Sequence, residues 1–155
     1  MKEEAIQKVT DRLRNLCSRR EYCSSDILKK ATAQLDGDAV SAEKVLQTLI
    51  AEKYVSDLRY ATAYAREKAM ISGWGETKIR YMLSAKRIGR DIITQAVAEI
   101  DEDKADLRLQ KLLENKARSL KDDPQIRFKL LRFALGRGYQ YDDIVPVIDT
   151  LIKSH

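Results

Sequence analysis

Residues 79–100 read IRYMLSAKRIGRDIITQAVAEI, and residues 130–151 read LLRFALGRGYQYDDIVPVIDTL. At one fixed offset, Ile79, Leu83, Ile88, Ile93, Val97 and Ile100 fall on Leu130, Ala134, Tyr139, Ile144, Ile148 and Leu151. Each set describes a helix, a short turn and a second helix, with the apolar residues on one side, because side chains three or four apart share a helical face. Self-similarity at this period marks a repeat architecture, in which small helical units bury their faces against neighbours. Proteins built this way work as extended binding surfaces more than as enclosed catalytic pockets.

Working outward, the helical period covers the whole chain, and no strand alternation of useful length interrupts it. A first helix is expected over about Glu3–Arg19, with Ile6, Val9, Leu13, Leu16 and Cys17 on one face. Ser24 or Ser25 suits the N-cap of a second helix, and Ser41 that of a third carrying Val45, Leu46, Leu49 and Ile50. Tyr54-Val55-Ser56 opens the next unit, with Ser56 as N-cap and Asp57 favoured by the helix dipole. Gly73-Trp74-Gly75 ends that helix and starts the one bearing Ile79 and Leu83. A long helix follows from about Glu102, and Asp123-Pro124 is a start signal for the next. Pro146 is tolerated only near a helix start, which predicts a last helix beginning at Asp142 or Asp143. The expected organisation is all-α, with three-helix repeats over residues 1–53, 54–100 and 101–155.

Composition excludes several function classes. The chain of 155 residues is 34% charged and has no run approaching the ~18 apolar residues of a membrane span. Its start lacks an apolar core of the secretory type, so a cytoplasmic protein is expected. The sole histidine is the terminal His155, which removes His-based triads and His-rich metal sites. Gly73-Trp74-Gly75 lacks the six-position glycine fingerprint of a nucleotide loop. Cys17 and Cys23 fit neither a disulfide framework nor a zinc pattern; Cys17 should be buried on its apolar face and Cys23 more exposed in a turn. No catalytic residues, cofactor or metal are expected.

Charge is segregated. The net charge is only +5, yet Lys78, Arg80, Lys86, Arg87 and Arg90 are opposed in their segment by Glu76 alone. Arg127, Lys129, Arg132 and Arg137 stand between Pro124 and Tyr141 with no acid beside them. Such segments are either solvated helix faces or the contact surface for a polyanionic or acidic partner. Trp74 and the tyrosines are read as packing within their unit, with base stacking or partner anchoring as the alternative.

The string Tyr54-Val55-Ser56-Asp57-Leu58-Arg59-Tyr60-Ala61, followed by Tyr64, Gly73-Trp74-Gly75, Ile79, Leu83 and Ile88, resembles the central signature of the RecX family. Arg132-Phe133-Ala134-Leu135-Gly136-Arg137-Gly138-Tyr139 with Asp143-Ile144 resembles that family's closing motif. The resemblance covers nearly the whole chain and is weakest over residues 1–50. It departs from the pattern at Arg87, where the family's middle repeat often has glycine. It implies three tandem three-helix units in an elongated, curved array, and a non-enzymatic protein that binds the RecA recombinase. Family members lodge on RecA filaments formed on single-stranded DNA and restrain ATPase, strand exchange and coprotease activity; some bind DNA directly. Implied partners are therefore the RecA filament and single- or double-stranded DNA, with a monomer and no membrane. The nine basic residues above are the expected contact residues. The alternative of a different class is an independent helical DNA-binding protein or transcriptional regulator.

Overall fold

The computed structural model describes residues 1–153; His155 lies outside them. Among the described residues there are nine α-helices, one π-helical turn and no strand. The helices are α1 (Lys2–Cys17), α2 (Ser24–Gln34), α3 (Ala39–Ala51), α4 (Asp57–Glu67), α5 (Glu76–Ala85), α6 (Arg90–Ala98), α7 (Glu102–Ser119), α8 (Ile126–Gly136) and α9 (Tyr141–Lys153). The π-turn, Lys68–Ser72, follows α4 directly. No helix among the described residues is long and apolar enough to cross a membrane.

The repeat is all-α and reaches further back than the two quoted strings. Helices α2, α5 and α8 end at Gln34, Ala85 and Gly136, and α3, α6 and α9 begin at Ala39, Arg90 and Tyr141, one offset throughout. Between each pair stands a residue with positive φ at the same offset: Asp36 at 53°, Arg87 at 62° and Gly138 at 95°. The left-handed conformation ends one helix and turns the chain into the next. Of the twelve apolar residues matched above, only Ile100 and Leu151 are half-buried, and the others are buried.

The chain forms two compact units: Met1–Thr62 with Leu83–Thr94, and Ala63–Met82 with Gln95–His155. In the first, Val9, Leu13, Ile27, Ala31, Val45, Leu49 and Val55 form one core, each large side chain contributing about 1.5–3 kcal/mol by leaving water. Its polar joints are less obvious from sequence. The Asp57 carboxylate, at the start of α4, accepts from the Ser24 N–H at 2.7 Å and so caps α2. Ser56 caps α4 as expected, accepting from the Arg59 N–H. The α3 cap is a correction: Asp38, not Ser41, is the N-cap, accepting from the Ser41 N–H at 3.1 Å and from its hydroxyl at 2.7 Å. The cysteines reverse expectation. Cys23 is fully buried, whereas Cys17 lies at the margin of the core, because α1 ends at Cys17 instead of continuing to Arg19.

In the second unit, Leu109, Leu113, Leu130, Ala134, Tyr139, Ile144 and Ile148 form the core. Asp101 caps α7 by accepting from the Lys104 N–H. Helix α8 starts at Ile126; Asp123 instead opens the turn before it, its carboxylate accepting from the Gln125 N–H at 2.8 Å. Helix α9 starts at Tyr141, with Asp142 and Asp143 inside its first turn, because the Gln140 carbonyl already accepts from Asp143 and Ile144. Pro146 therefore sits one or two residues deeper than its missing donor suggested.

Candidate partner-binding site

The two signature strings meet in the second unit. The Gly75 N–H donates to the Arg137 carbonyl at 2.8 Å, and the Thr77 N–H to the Gly138 carbonyl at 3.1 Å. The backbones pass so closely that a Cβ on Gly75 would lie 2.3 Å from the Tyr139 nitrogen, and one on Gly138 2.3 Å from the Lys78 Cβ. Only glycine fits either place. The Arg137 guanidinium donates through Nη2 to the Ser72 carbonyl at 2.9 Å and through Nε to the Gly73 carbonyl at 3.1 Å. Arg108 donates to the Ile71 carbonyl at 3.1 Å. Two cations thus satisfy the carbonyls that the π-turn leaves open at its end, where the helix dipole favours positive charge. Burial pushes the Tyr139 phenol up from its ordinary pKa, with Arg108 and Arg137 opposing that shift.

Trp74 lies half-buried beside this joint. Its ring meets Tyr64 edge to face at 6.4 Å and 66°, and carries Lys78 at 4.4 Å and Lys68 at 4.8 Å from its centroid. The aromatic packing within one unit agrees with the structural reading of Trp74, and the two ammonium groups keep positive charge over the ring.

The nine basic residues fall into distinct situations. Lys78, Arg80, Arg127, Lys129, Arg132 and Arg137 belong to the second unit; Lys86, Arg87 and Arg90 belong to the first. Lys86 is a joint: its ammonium pairs with Asp26 at 3.0 Å while its carbonyl accepts from the Ser25 hydroxyl at 2.7 Å. Hydrogen bonding to Asp26 raises the Lys86 pKa, and although burial opposes ionisation of Asp26, Lys86 draws that carboxyl below its ordinary value. Arg80 pairs with Glu76 at 3.1 Å, Arg127 with Asp149 at 2.6 Å and Lys129 with Asp123 at 2.6 Å, all substantially exposed. Arg132 lies over the Phe128 ring at 5.8 Å. Arg87 and Arg90 are exposed, and no carboxylate lies within ion-pair distance of either among the described residues. Arg137 differs from the rest, since its guanidinium is committed to the backbone of its own unit. Sequence reasoning missed Arg108 and the bond from Asp57 to α2, which reach partners remote in the chain, and the outward residues Phe128 and Leu135 of α8. The recurrence of glycine at 75 and 138 was the signal that could have marked the joint.

Comparison with known proteins places this geometry in context. The family model for the second three-helix domain of RecX matches residues 56–97, and that for the third matches residues 107–148. The regulatory protein RecX of Vibrio parahaemolyticus is 32% identical over 144 residues, covering 92% of this chain and 86% of the relative. That of Clostridium tetani is 31% identical over 121 residues, 76% of this chain, which spans only 55% of that relative's length. A crystal structure of regulatory protein RecX superposes with a TM-score of 0.84 at 22% identity, covering 99% of this chain and 74% of the other. RecX from Lactobacillus salivarius superposes at 0.76 and 21% identity, covering 98% and 97%. At such identity the superpositions speak for the fold, an all-α array of tandem helical repeats.

Proposed function

The chain belongs to the RecX family, and from that premise we propose that it is a non-enzymatic regulator that binds RecA and its filaments on single-stranded DNA. In this reading it lowers the filament's ATPase, strand-exchange and coprotease activities in DNA repair and the SOS response, and acts in the cytoplasm. The observation that carries it is the match of two RecX domain models, in order, together with similarity to a relative named a regulatory protein across 92% of the chain. The repeats are read as residues 1–53, 54–100 and 101–155, and the matched family domains fall inside the second and third.

Lys78, Arg80, Lys86, Arg87, Arg90, Arg127, Lys129, Arg132 and Arg137 are read as the cationic residues of the contact surface. The structure gives reason to weight them unequally. The exposed pairs of Arg80, Arg127 and Lys129 are worth about 0–1 kcal/mol each, so their cations exchange partners cheaply. Arg137 and Lys86 are in addition held by contacts within the fold, so their substitution also disturbs it. A second reading, independent binding of single-stranded nucleic acid, is favoured by one feature, the Trp74 ring flanked by Lys68 and Lys78. A pulldown with RecA, in the presence and absence of single-stranded DNA and nucleotide, separates the two. Retention by RecA that rises when filaments form supports the regulator. Retention by DNA alone, with none by RecA, refutes it.

A further inference from the structure

Helix α8 is apolar on two sides. Its sequence, IRFKLLRFALG, buries Leu130 and Ala134, with Ile126, Leu131 and Phe133 partly covered against the same core. That accounts for one face. Phe128 and Leu135 are not on it: they are 57% and 44% exposed. With Arg132 they stand at i, i+4 and i+7, one continuous stripe that the helical period sets opposite Leu130 and Ala134. Arg127 and Lys129 flank the stripe on either side, and α8 contains no acidic residue. A helix of a free-standing protein normally turns charge to water on its second face. Here that face combines an aromatic ring, an arginine lying over it at 5.8 Å and an aliphatic side chain. Aromatic residues and arginine are the side chains that dominate the centres of protein interfaces.

We propose that this outward face of α8 is a protein-docking surface whose occupant is an acidic, amphipathic helical segment of the partner. Apolar side chains of that segment lie along Phe128 and Leu135, and its carboxylates meet Arg132, Arg127 and Lys129. Charge argues for this occupant over a second copy of the chain, because pairing α8 with itself across a two-fold axis would set Arg132 and its neighbours against their own kind. The stripe also argues against a phosphate backbone as the occupant. Phosphates need the cations but have no use for an exposed leucine and phenylalanine, whereas a helix laid in place reads such i, i+4, i+7 anchors directly. Arg127 and Lys129 must leave Asp149 and Asp123 to take part, which exposed pairs permit at little cost.

The assignment rests on the reading that the partner is the RecA filament, and the test keeps the two apart. Binding of fluorescently labelled parent protein, the double variant Phe128→Ala/Leu135→Ala, and Arg132→Glu is measured against RecA–single-stranded-DNA filaments and against the same DNA without RecA. Circular dichroism and melting confirm that each variant is folded, as expected for side chains this exposed. The expected result is a loss of at least tenfold in filament affinity for both variants, with binding to DNA alone unchanged for the double variant. A folded double variant that binds filaments like the parent overturns the docking face and leaves the regulatory reading intact. Equal losses on filaments and on bare DNA overturn it in favour of a nucleic-acid surface. A parent that does not bind filaments overturns both.

Discussion

Arg137 shows how much one side chain's surroundings change its meaning. In the sequence it belongs to an acid-free basic stretch; in the structure its guanidinium spans the Ser72 and Gly73 carbonyls. Charge-assisted bonds of this kind are worth about 1.5–3 kcal/mol when buried, and this one is partly exposed, so Arg137→Ala is expected to cost roughly 2 kcal/mol. Arg137→Lys should recover only part, because an ammonium group lacks the planar fork. Chemical denaturation measures both; an alanine variant as stable as the parent would show that the carbonyls are equally well served by water. Arg87 poses the opposite case. It holds a left-handed conformation at φ 62°, where the equivalent residue of the last repeat is Gly138. Arg87→Gly should stabilise the protein by about 1 kcal/mol, since L-residues pay roughly 1–2 kcal/mol there and glycine's own entropy loss returns part of that. The departure from the family pattern was legible in the sequence, and its φ explains why glycine is common there. Cys17 was misjudged because the end of α1 was placed two residues late, and Cys23 because it is the N-cap residue of α2, buried at the helix start, and not an open turn residue. Both thiols have pKa values pushed up by burial, so both should react slowly near neutrality, Cys17 before Cys23. Mass spectrometry after brief alkylation gives the order, and modification of Cys23 first would contradict the placement of α2.

Elements were legible wherever the apolar period was long, and less so at their ends. Asp38 and Ser41 are both good caps three residues apart, and local preference cannot choose between them. Asp38 wins because Asp36 and Gly37 both adopt positive φ and turn the chain just ahead of it. The two Ser41 hydrogen bonds, with Lys2 adding to them, lower the Asp38 pKa to about 2. A depressed carboxylate stabilises the fold above its unfolded pKa, about 3.9, and that contribution fades as pH falls towards 2. Asp38→Asn, which still caps but carries no charge, should therefore lower stability near neutrality and flatten the loss of stability between about pH 4 and pH 2. Urea midpoints across that range decide it; parallel curves for both proteins would remove Asp38 from the acid response. The cap of α2 by Asp57 could not be read from sequence at all, because the two residues meet only through tertiary folding. At α5 the constraint is steric. Gly75→Ala would drive a methyl group into the backbone of 138 and 139, and should cost several kcal/mol, beyond the usual range for a surface glycine.

At the level of the whole molecule, the fixed offset seen in two strings proved to govern all three helix pairs, including the N-terminal one where the family resemblance is weakest. The reason it was hidden there is that Gly37 and Ala42 stand where the later repeats have Ile88 and Tyr139, and Ile93 and Ile144, while the turn geometry at Asp36 is kept. The contact surface was much less legible, since charge alone cannot distinguish a cation that ties the backbone from one that faces a partner. Reversing Lys78, Arg80, Arg127 and Arg132 to Glu tests the surface as a whole. Helicity should survive, because these side chains contribute mainly exposed interactions of about 0–1 kcal/mol, whereas filament binding should weaken strongly. Binding by the parent should also fall with added salt, steeply if phosphates are contacted. The central claim is met most directly by the steady-state ATPase of RecA on single-stranded DNA, titrated with this protein. The account predicts hydrolysis that declines with added protein to a low plateau, and a far weaker decline with the folded charge-reversed variant. Hydrolysis unchanged by a large excess of the folded parent protein, with none retained on the filaments, would contradict it.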